Sequence, residues 1–255
     1  SWVISANLAT AFRSPNVDDI GKVFDSEPGA VVIPNPDLKA EYAYNADIGL
    51  VKMIGKSVKI DFSAYYTILE NALVRRDYIL NGLDSILYEG EMSKVQALQN
   101  VAQEKEYGIK AEVYIDLPSG FGFSSDFNYQ KGEEEQDDGT TSPSRHAAPI
   151  FGNIKFSYKK TRLHLELYTL YQAERKHEDL PVSEQGKSEI YALDANGNTH
   201  SPAWYTLNFK GLYKLTDFWT VSAGIENITD QRYRPYSSGI SGPGRNFFLS
   251  LMLNF

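Results

Sequence analysis

The 255-residue sequence has no cysteine and no apolar run long enough for a membrane helix. The lack of cysteine excludes disulfides and thiolate metal sites, and no stretch approaches the roughly 18 apolar residues that a spanning helix needs. Serine-hydrolase, phosphate-loop and zinc-protease motifs are also missing. We therefore expect a protein that is not an enzyme and holds no resident cofactor or metal. The net charge of −8 argues against nucleic acid as a partner.

Alternating side chains are the main positive signal, and they are clearest between Arg245 and Phe255. One face of this stretch is entirely apolar, and it comprises Phe247, Leu249, Leu251, Leu253 and Phe255. A period of two predicts a strand, and this one is long enough to cross a bilayer when tilted, which takes roughly 9–11 residues. Taken alone, the stretch fits the last strand of a soluble β-sandwich equally well.

The rhythm of the whole chain favours a membrane barrel. About ten alternating segments are separated by connections that are long and short in strict turn, as in outer-membrane barrels. The long connections are numbered first to fifth, and they span residues 12–38, 71–103, 131–149, 174–202 and 229–244. One face of each strand is apolar and the other mixes charged residues with Tyr, Ser and Gly. This mixture suits a polar lumen behind a lipid-facing wall. The predicted fold class is therefore all-β, an antiparallel transmembrane β-barrel segment forming one unit over residues 1–255.

The start of the chain carries no signal-peptide pattern and already alternates from Trp2. We expect the chain to be part of a longer exported protein whose remaining portion lies on the N-terminal side.

Four short boxes, in order, resemble the C-terminal half of TonB-dependent outer-membrane receptors. They are 11–15 with 35–41, 99–112, 226–233 and 242–247. The residues that match the family pattern are Phe12, Arg13, Pro15, Asn35, Pro36, Asp37, Leu38, Gly244, Arg245 and the terminal Phe255. The resemblance implies a larger plugged barrel in the bacterial outer membrane, in contact with outer-membrane lipid. It implies energised uptake of a ferric siderophore or haem, with the TonB complex acting through a plug domain that these residues do not include. It also implies that Phe255 is read by the barrel-assembly machinery.

Two alternatives stay open. One is a porin or adhesin barrel without a plug. The other is an outer-membrane barrel hydrolase, for which His164 in a predicted strand would be the catalytic base.

Candidate ligand contacts come from the long connections. Guanidinium groups beside a tyrosine suit an anionic siderophore or a haem propionate, although such residues also contact lipopolysaccharide or simply face water. Haem receptors of this family carry a His between the first two boxes, but residues 14–34 contain none. Histidines elsewhere are therefore the candidate haem ligands. The complete candidate set is Arg13, Arg75, Arg76, Tyr78, His146, His177, His200, Tyr233, Arg234 and Tyr236.

Two further features allow a structural and a binding interpretation. Arg13 and Asp37 lie at opposite ends of the first long connection, where they either clamp it or touch ligand. Glu133, Glu134 and Glu135, followed by two aspartates, suit a hard cation such as calcium, but a solvated loop tip is the expectation.

Overall fold

The computed structural model describes residues 1–100, 103–136, 138–145 and 147–253. Within these residues it contains one short α-helix, α1 (Val17–Gly21), three 3₁₀ helices (Pro118–Gly120, His177–Asp179 and Val182–Glu184) and eighteen strands. In chain order the strands are β1 (Trp2–Arg13), β2 (Phe24–Glu27), β3 (Ala30–Ile33), β4 (Glu41–Ile54), β5 (Val58–Glu70), β6 (Leu73–Asp77), β7 (Ser85–Tyr88), β8 (Glu91–Asn100), β9 (Gln103–Asp116), β10 (Phe121–Glu135), β11 (Thr141–Pro143), β12 (Phe151–Lys160), β13 (Leu163–Gln172), β14 (Ala192–Leu193), β15 (Thr199–His200), β16 (Trp204–Lys214), β17 (Trp219–Glu226) and β18 (Asn246–Leu253).

Ten long strands of the described residues form a continuous antiparallel wall, which confirms the predicted fold class. Their order is β1-β4-β5-β9-β10-β12-β13-β16-β17-β18, with β11 added to the end of β10. The wall is open, because β1 and β18 each pair with one neighbour. Four short turns join these strands at one end, and the five long connections lie at the other. Among the described residues, the single α-helix is far too short to span a membrane.

The strand register separates the two faces as the sequence predicts. Directly opposed residues in an antiparallel pair share a face, and one such row runs across five strands. It consists of Asn7, Asp47, Tyr65, Gly108 and Gln130. The alternate positions are apolar and solvent-accessible in the isolated chain; Leu249, for example, is 78% exposed. One face of the wall is therefore polar, and the other is suited to lipid.

Several predicted boundaries are wrong, because the strands continue beyond the apolar stretch. β1 extends to Arg13, so the first long connection begins later than predicted. β10 extends to Glu135, and Glu133 and Glu134 pair across to β11 and β9. Glu134 is only 6% exposed. The expectation of a solvated acidic loop tip is therefore wrong for the glutamates, and Asp137 lies outside the described residues.

The first and second long connections are not irregular loops. They fold together into a five-stranded outer sheet, with the order β2-β3-β8-β6 and β7 paired to β8. β3 and β8 are parallel, with Val31 opposite Val95. Ile33, Val95 and Ala97 form a small core in this sheet, against which Tyr78 packs. All four residues of β3 are buried, and a strand buried on both faces shows no alternation. This explains why the sequence pattern did not predict it.

Candidate functional site

A buried carboxylate ties three long connections together above the polar face of the wall. The side chain of Glu184, in the fourth connection, is fully buried. Its Oε1 lies 3.2 Å from Nε of Arg145, in the third connection, and 3.4 Å from Oγ of Ser237, in the fifth. The hydroxyl of Tyr191 donates to Oε2. Burial, followed by this hydrogen bond, raises the pKa of Tyr191 above its usual value, so the phenol remains a neutral donor. We call these four residues the Glu184 cluster.

A basic cavity of about 410 Å³ lies where the second, third and fourth connections meet. Its wall carries four cationic side chains, Arg75, Arg76, Arg145 and Lys187, against two acidic ones, Asp77 and Glu134. An excess of positive charge in a chain of net charge −8 is a local arrangement that favours an anionic ligand. The sequence analysis singled out two of the four cations.

The cations of the basic cavity are held by defined contacts. Nη2 of Arg76 donates to the carbonyl oxygen of Glu135 at 2.8 Å, and Nε of Arg145 bonds to Glu184 at 3.2 Å. The guanidinium of Arg75 lies 5.8 Å from the ring centre of Phe24. These contacts fix the positions of the three guanidinium groups in the cavity wall.

A second, aromatic cavity of about 290 Å³ lies between the fourth and fifth connections. Three predicted residues, His200, Tyr233 and Arg234, line it together with Trp204 and Tyr191. The rings of Trp204 and Tyr233 have their centres 4.5 Å apart. Nη1 of Arg234 donates to the carbonyl oxygens of Glu189 and Ile190 at 3.2 and 3.3 Å. These contacts hold the cavity wall in place.

Other predicted ligand residues serve as packing or hydrogen-bonding groups in the described residues. Tyr78 packs against the core of the outer sheet. The backbone N–H of Tyr236 donates to Oε1 of Gln172 at 3.1 Å, and its ring lies beside Tyr191. Nδ1 of His177 lies 3.1 Å from the carbonyl oxygen of Thr199. The predicted residues therefore do not converge on one point.

The remaining predicted histidines are His146 and His164. His146 lies outside the described residues. His164 is on the polar face of β13, where Nε2 lies 3.3 Å from Glu166, and among the described residues no serine hydroxyl is recorded as its partner. Within the same residues, no three His, Asp or Glu side chains form a metal-binding group.

Arg13 of the first box clamps the wall to the outer connections. Its guanidinium lies 2.9 Å from Oδ2 of Asp19 and 3.1 Å from Oε2 of Glu41. The other oxygen of Glu41 accepts the backbone N–H of Leu73 at 2.7 Å. The predicted clamp thus runs through Asp19 and Glu41 instead of Asp37. Phe12, on the apolar face, is 71% exposed, and Pro15 leads into α1.

The second box anchors the outer sheet. Asn35 is buried, and its Nδ2 donates to the carbonyl oxygen of Leu98 at 2.8 Å. Its Oδ1 accepts the backbone N–H of Asp37 at 3.1 Å, which shapes the turn that contains Pro36 and Leu38. Through these contacts, Asn35 of the second box has a structural role.

The last two boxes close the fifth connection on itself. Asn227 is 2% exposed, and its Nδ2 donates to the carbonyl oxygens of Gln231 and Pro243 at 2.8 and 3.1 Å. The backbone N–H of Arg245 donates to Oδ1 of Asp230 at 2.7 Å. Gly244 lies against the same oxygen, since a Cβ added to Gly244 would stand 2.9 Å from Oδ1 of Asp230. Phe255 lies outside the described residues.

Sequence analysis did not single out several residues of this region, among them Glu184 of the buried cluster, Arg145 and Lys187 of the basic cavity, and Trp204 of the aromatic cavity. The first three are isolated charges in polar stretches, and nothing local distinguishes them from solvated residues. Trp204, at the start of β16, is the exception, because a tryptophan beside a predicted long connection is itself a signal for a binding surface.

Comparison with known proteins gives a consistent result. The family model described as TonB dependent receptor-like, beta-barrel matches residues 1–228. The iron-regulated outer membrane virulence protein of Vibrio cholerae is 21% identical over 259 residues, covering 100% of this chain and 37% of that protein. Hemoglobin-haptoglobin-binding protein A of Haemophilus influenzae is 24% identical over 292 residues, covering 100% and 26%.

A solved structure shares the fold. The crystal structure of a mutant ferric enterobactin receptor of Pseudomonas aeruginosa, in complex with enterobactin, matches with a TM-score of 0.75 and 17% identity. The match covers 100% of this chain and 38% of that one. The chain spans less than two fifths of the length of each of these proteins.

Proposed function

The chain belongs to the TonB-dependent receptor β-barrel family, and from this premise we propose that it is the C-terminal wall and outer surface of a receptor that takes up a ferric siderophore or haem. The energy for uptake comes from the TonB complex, acting through a plug domain outside these residues. The apolar face of the wall contacts outer-membrane lipid, and Phe255 is the signal for the barrel-assembly machinery.

The observation that carries this proposal is the basic cavity. Iron chelates and haem both carry acidic oxygen atoms, and arginine binds such groups through charge-assisted hydrogen bonds. Its four cations come from three different connections, at the end of the wall where the long connections meet. They are Arg75, Arg76, Arg145 and Lys187. The relatives named for iron regulation and for hemoglobin binding support the same class of cargo.

The test is equilibrium binding by the full-length receptor in detergent. Haem and a panel of ferric siderophores are titrated by absorbance and calorimetry against the wild type, the double variant Arg75→Gln/Arg76→Gln and the control Lys176→Gln. Lys176 is an exposed cation of the fourth connection that does not line the cavity. We expect one chelate to bind the wild type and the control equally well. The double variant should bind it at least tenfold more weakly, since hydrogen bonds to charged groups contribute about 1.5–3 kcal/mol each.

Cell uptake tests the energy source. Iron accumulation from the bound chelate should require an intact TonB complex. Uptake that persists without TonB would indicate a passive porin, and equal losses in the double variant and in Lys176→Gln would remove the basic cavity from the proposal.

A further inference from the structure

We propose that the aromatic cavity is a subsite for a single aromatic ring that carries an acidic oxygen, such as an aryl carboxylate or a phenolate. In the intact receptor this ring is an arm of the chelate, and to that extent the inference rests on the proposed function. Its binding chemistry, however, is separable and can be tested with small aryl acids alone.

The volume of the cavity fits one ring. An engineered protein cavity of about 150 Å³ accepts benzene, whereas whole drug-sized ligands occupy roughly 300–1,000 Å³. At about 290 Å³, the aromatic cavity holds a ring with its substituents but is small for an entire chelate or a haem.

The aromatic wall is held in position before any ligand binds. The ring centres of Trp204 and Tyr233 lie 4.5 Å apart with their planes inclined by 37°. Gly242 lies directly against the Tyr233 ring, since an added Cβ would stand only 2.2 Å from Cζ. The N–H of Gly242 also donates to the carbonyl oxygen of Tyr233 at 2.8 Å. A planar ligand can therefore stack on these rings with little loss of side-chain conformational entropy.

The positive charge of the cavity lining favours an acidic ligand. Arg232 and Arg234 both line the cavity, and none of its described lining residues is acidic. Among the described residues, the recorded bonds of Arg234 use Nη1 only, which leaves the other guanidinium donors for a ligand oxygen.

The wall also carries unsatisfied polar atoms. Nε1 of Trp204 and Nδ1 of His200 are buried without a hydrogen-bond partner in the described part of the chain. Buried polar groups are nearly always paired, and both residues that carry these unpaired atoms line the cavity.

The Glu184 cluster links the aromatic cavity to the basic cavity, because one residue of the cluster lines each of them. Tyr191 lines the aromatic cavity and Arg145 the basic one, and both bond to Glu184. The two cavities still differ in kind: one has aromatic walls and the other is lined mostly by charged side chains.

The experiment uses three probes of nearly equal size with the full-length receptor in detergent. Benzoate is compared with cyclohexanecarboxylate, which keeps the charge but not the ring, and with benzamide, which keeps the ring but not the charge. Binding is followed by calorimetry and by the part of the tryptophan fluorescence that disappears in Trp204→Phe. We expect benzoate to bind about threefold to tenfold more tightly than cyclohexanecarboxylate and at least tenfold more tightly than benzamide.

Two variants locate the binding. Arg234→Gln should weaken benzoate binding at least fivefold without affecting benzamide. Gly242→Ala, which displaces the Tyr233 ring, should remove the preference for benzoate over cyclohexanecarboxylate. Tyr205→Phe is the control, since Tyr205 is an exposed residue of the same strand outside the cavity lining. Equal binding of all three probes, or no effect of either variant, would overturn the subsite.

The outcomes separate this inference from the proposed function. If a ferric chelate binds but aryl acids neither bind nor compete with it, the subsite is wrong and the uptake function stands. If benzoate binds as described while no chelate or haem binds, the subsite stands and the uptake function is wrong.

Discussion

Replacing Glu184 with Gln should loosen three long connections at once. The substitution keeps the size of the side chain but removes the negative charge to which both Arg145 and Tyr191 bond. Hydrogen bonds to charged groups contribute about 1.5–3 kcal/mol and neutral ones about 0.5–1.5 kcal/mol, so weakening the Tyr191 bond costs about 1 kcal/mol.

The ion pair adds a similar amount. Arg145 is 39% exposed, so its interaction with Glu184 is partly screened, and about 1 kcal/mol is appropriate. The new amide also places an N–H₂ group where an acceptor is needed, at a cost of about 1–2 kcal/mol. The total is about 3–4 kcal/mol in the free energy of opening the cluster. This corresponds to an opening constant raised roughly 100-fold to several hundred-fold.

Hydrogen exchange followed by mass spectrometry measures this opening in the full-length receptor. Local opening limits exchange in such segments, so peptides covering 142–145, 182–192 and 234–238 should exchange faster in Glu184→Gln. Wall peptides, such as 162–171, should not change. The control is Glu178→Gln, an exposed carboxylate of the same connection. Faster exchange confined to the fourth connection, or no greater than in the control, would refute the view that one carboxylate joins the three.

Two further predictions follow from the same region. Because the pKa of Tyr191 is raised in the folded protein, the phenol keeps its proton above pH 10, whereas in the unfolded chain it loses that proton. The contribution of Tyr191 to stability is therefore complete below about pH 10 and is lost as the pH rises further. Proteolysis of the fourth connection between pH 8 and 11 should accelerate above pH 10 in the wild type and less so in Tyr191→Phe, and a flat profile in the wild type would contradict the assignment. Asn227→Ala should destabilise the fifth connection by about 2–4 kcal/mol, because three buried side-chain hydrogen bonds are lost and Ala replaces Asn at a φ of +49°. Exchange of peptides from 228–244 measures this, with Asn196→Ala as an exposed control, and equal protection in both variants would count against the closing role of Asn227.

The wall was predictable because its strands have one apolar and one polar face. Alternation at Phe247, Leu249 and Leu251 is visible in the sequence, and short turns such as that at Gly55 mark the hairpins. The ends of the strands were predicted less well, and β1 runs on to Arg13. Such shifts are expected, since the alternation itself does not stop at the edge of the membrane.

The outer surface was less predictable, because its order comes from contacts between distant segments. Val31 pairs with Val95, and Glu184 meets Arg145 and Ser237 from two other connections. Neither residue has a local pattern that announces these partners. The contacts of Arg13 and Asn35, which belong to the family boxes, are visible only once the chain has folded. The assignments of ligand contacts remain predictions.

The outer sheet also has a consequence for how the wall is assembled. Its two halves are joined to the two strands of the β4–β5 hairpin at the same open end, where Tyr42 faces Glu70. A slip of one residue in that hairpin would turn every side chain to the opposite face, and Glu41 would no longer meet Leu73. β3 and β8 would then be offset, and Val95 would leave its core. We therefore expect the parallel β3–β8 pair to disfavour a slipped register of the β4–β5 hairpin during assembly.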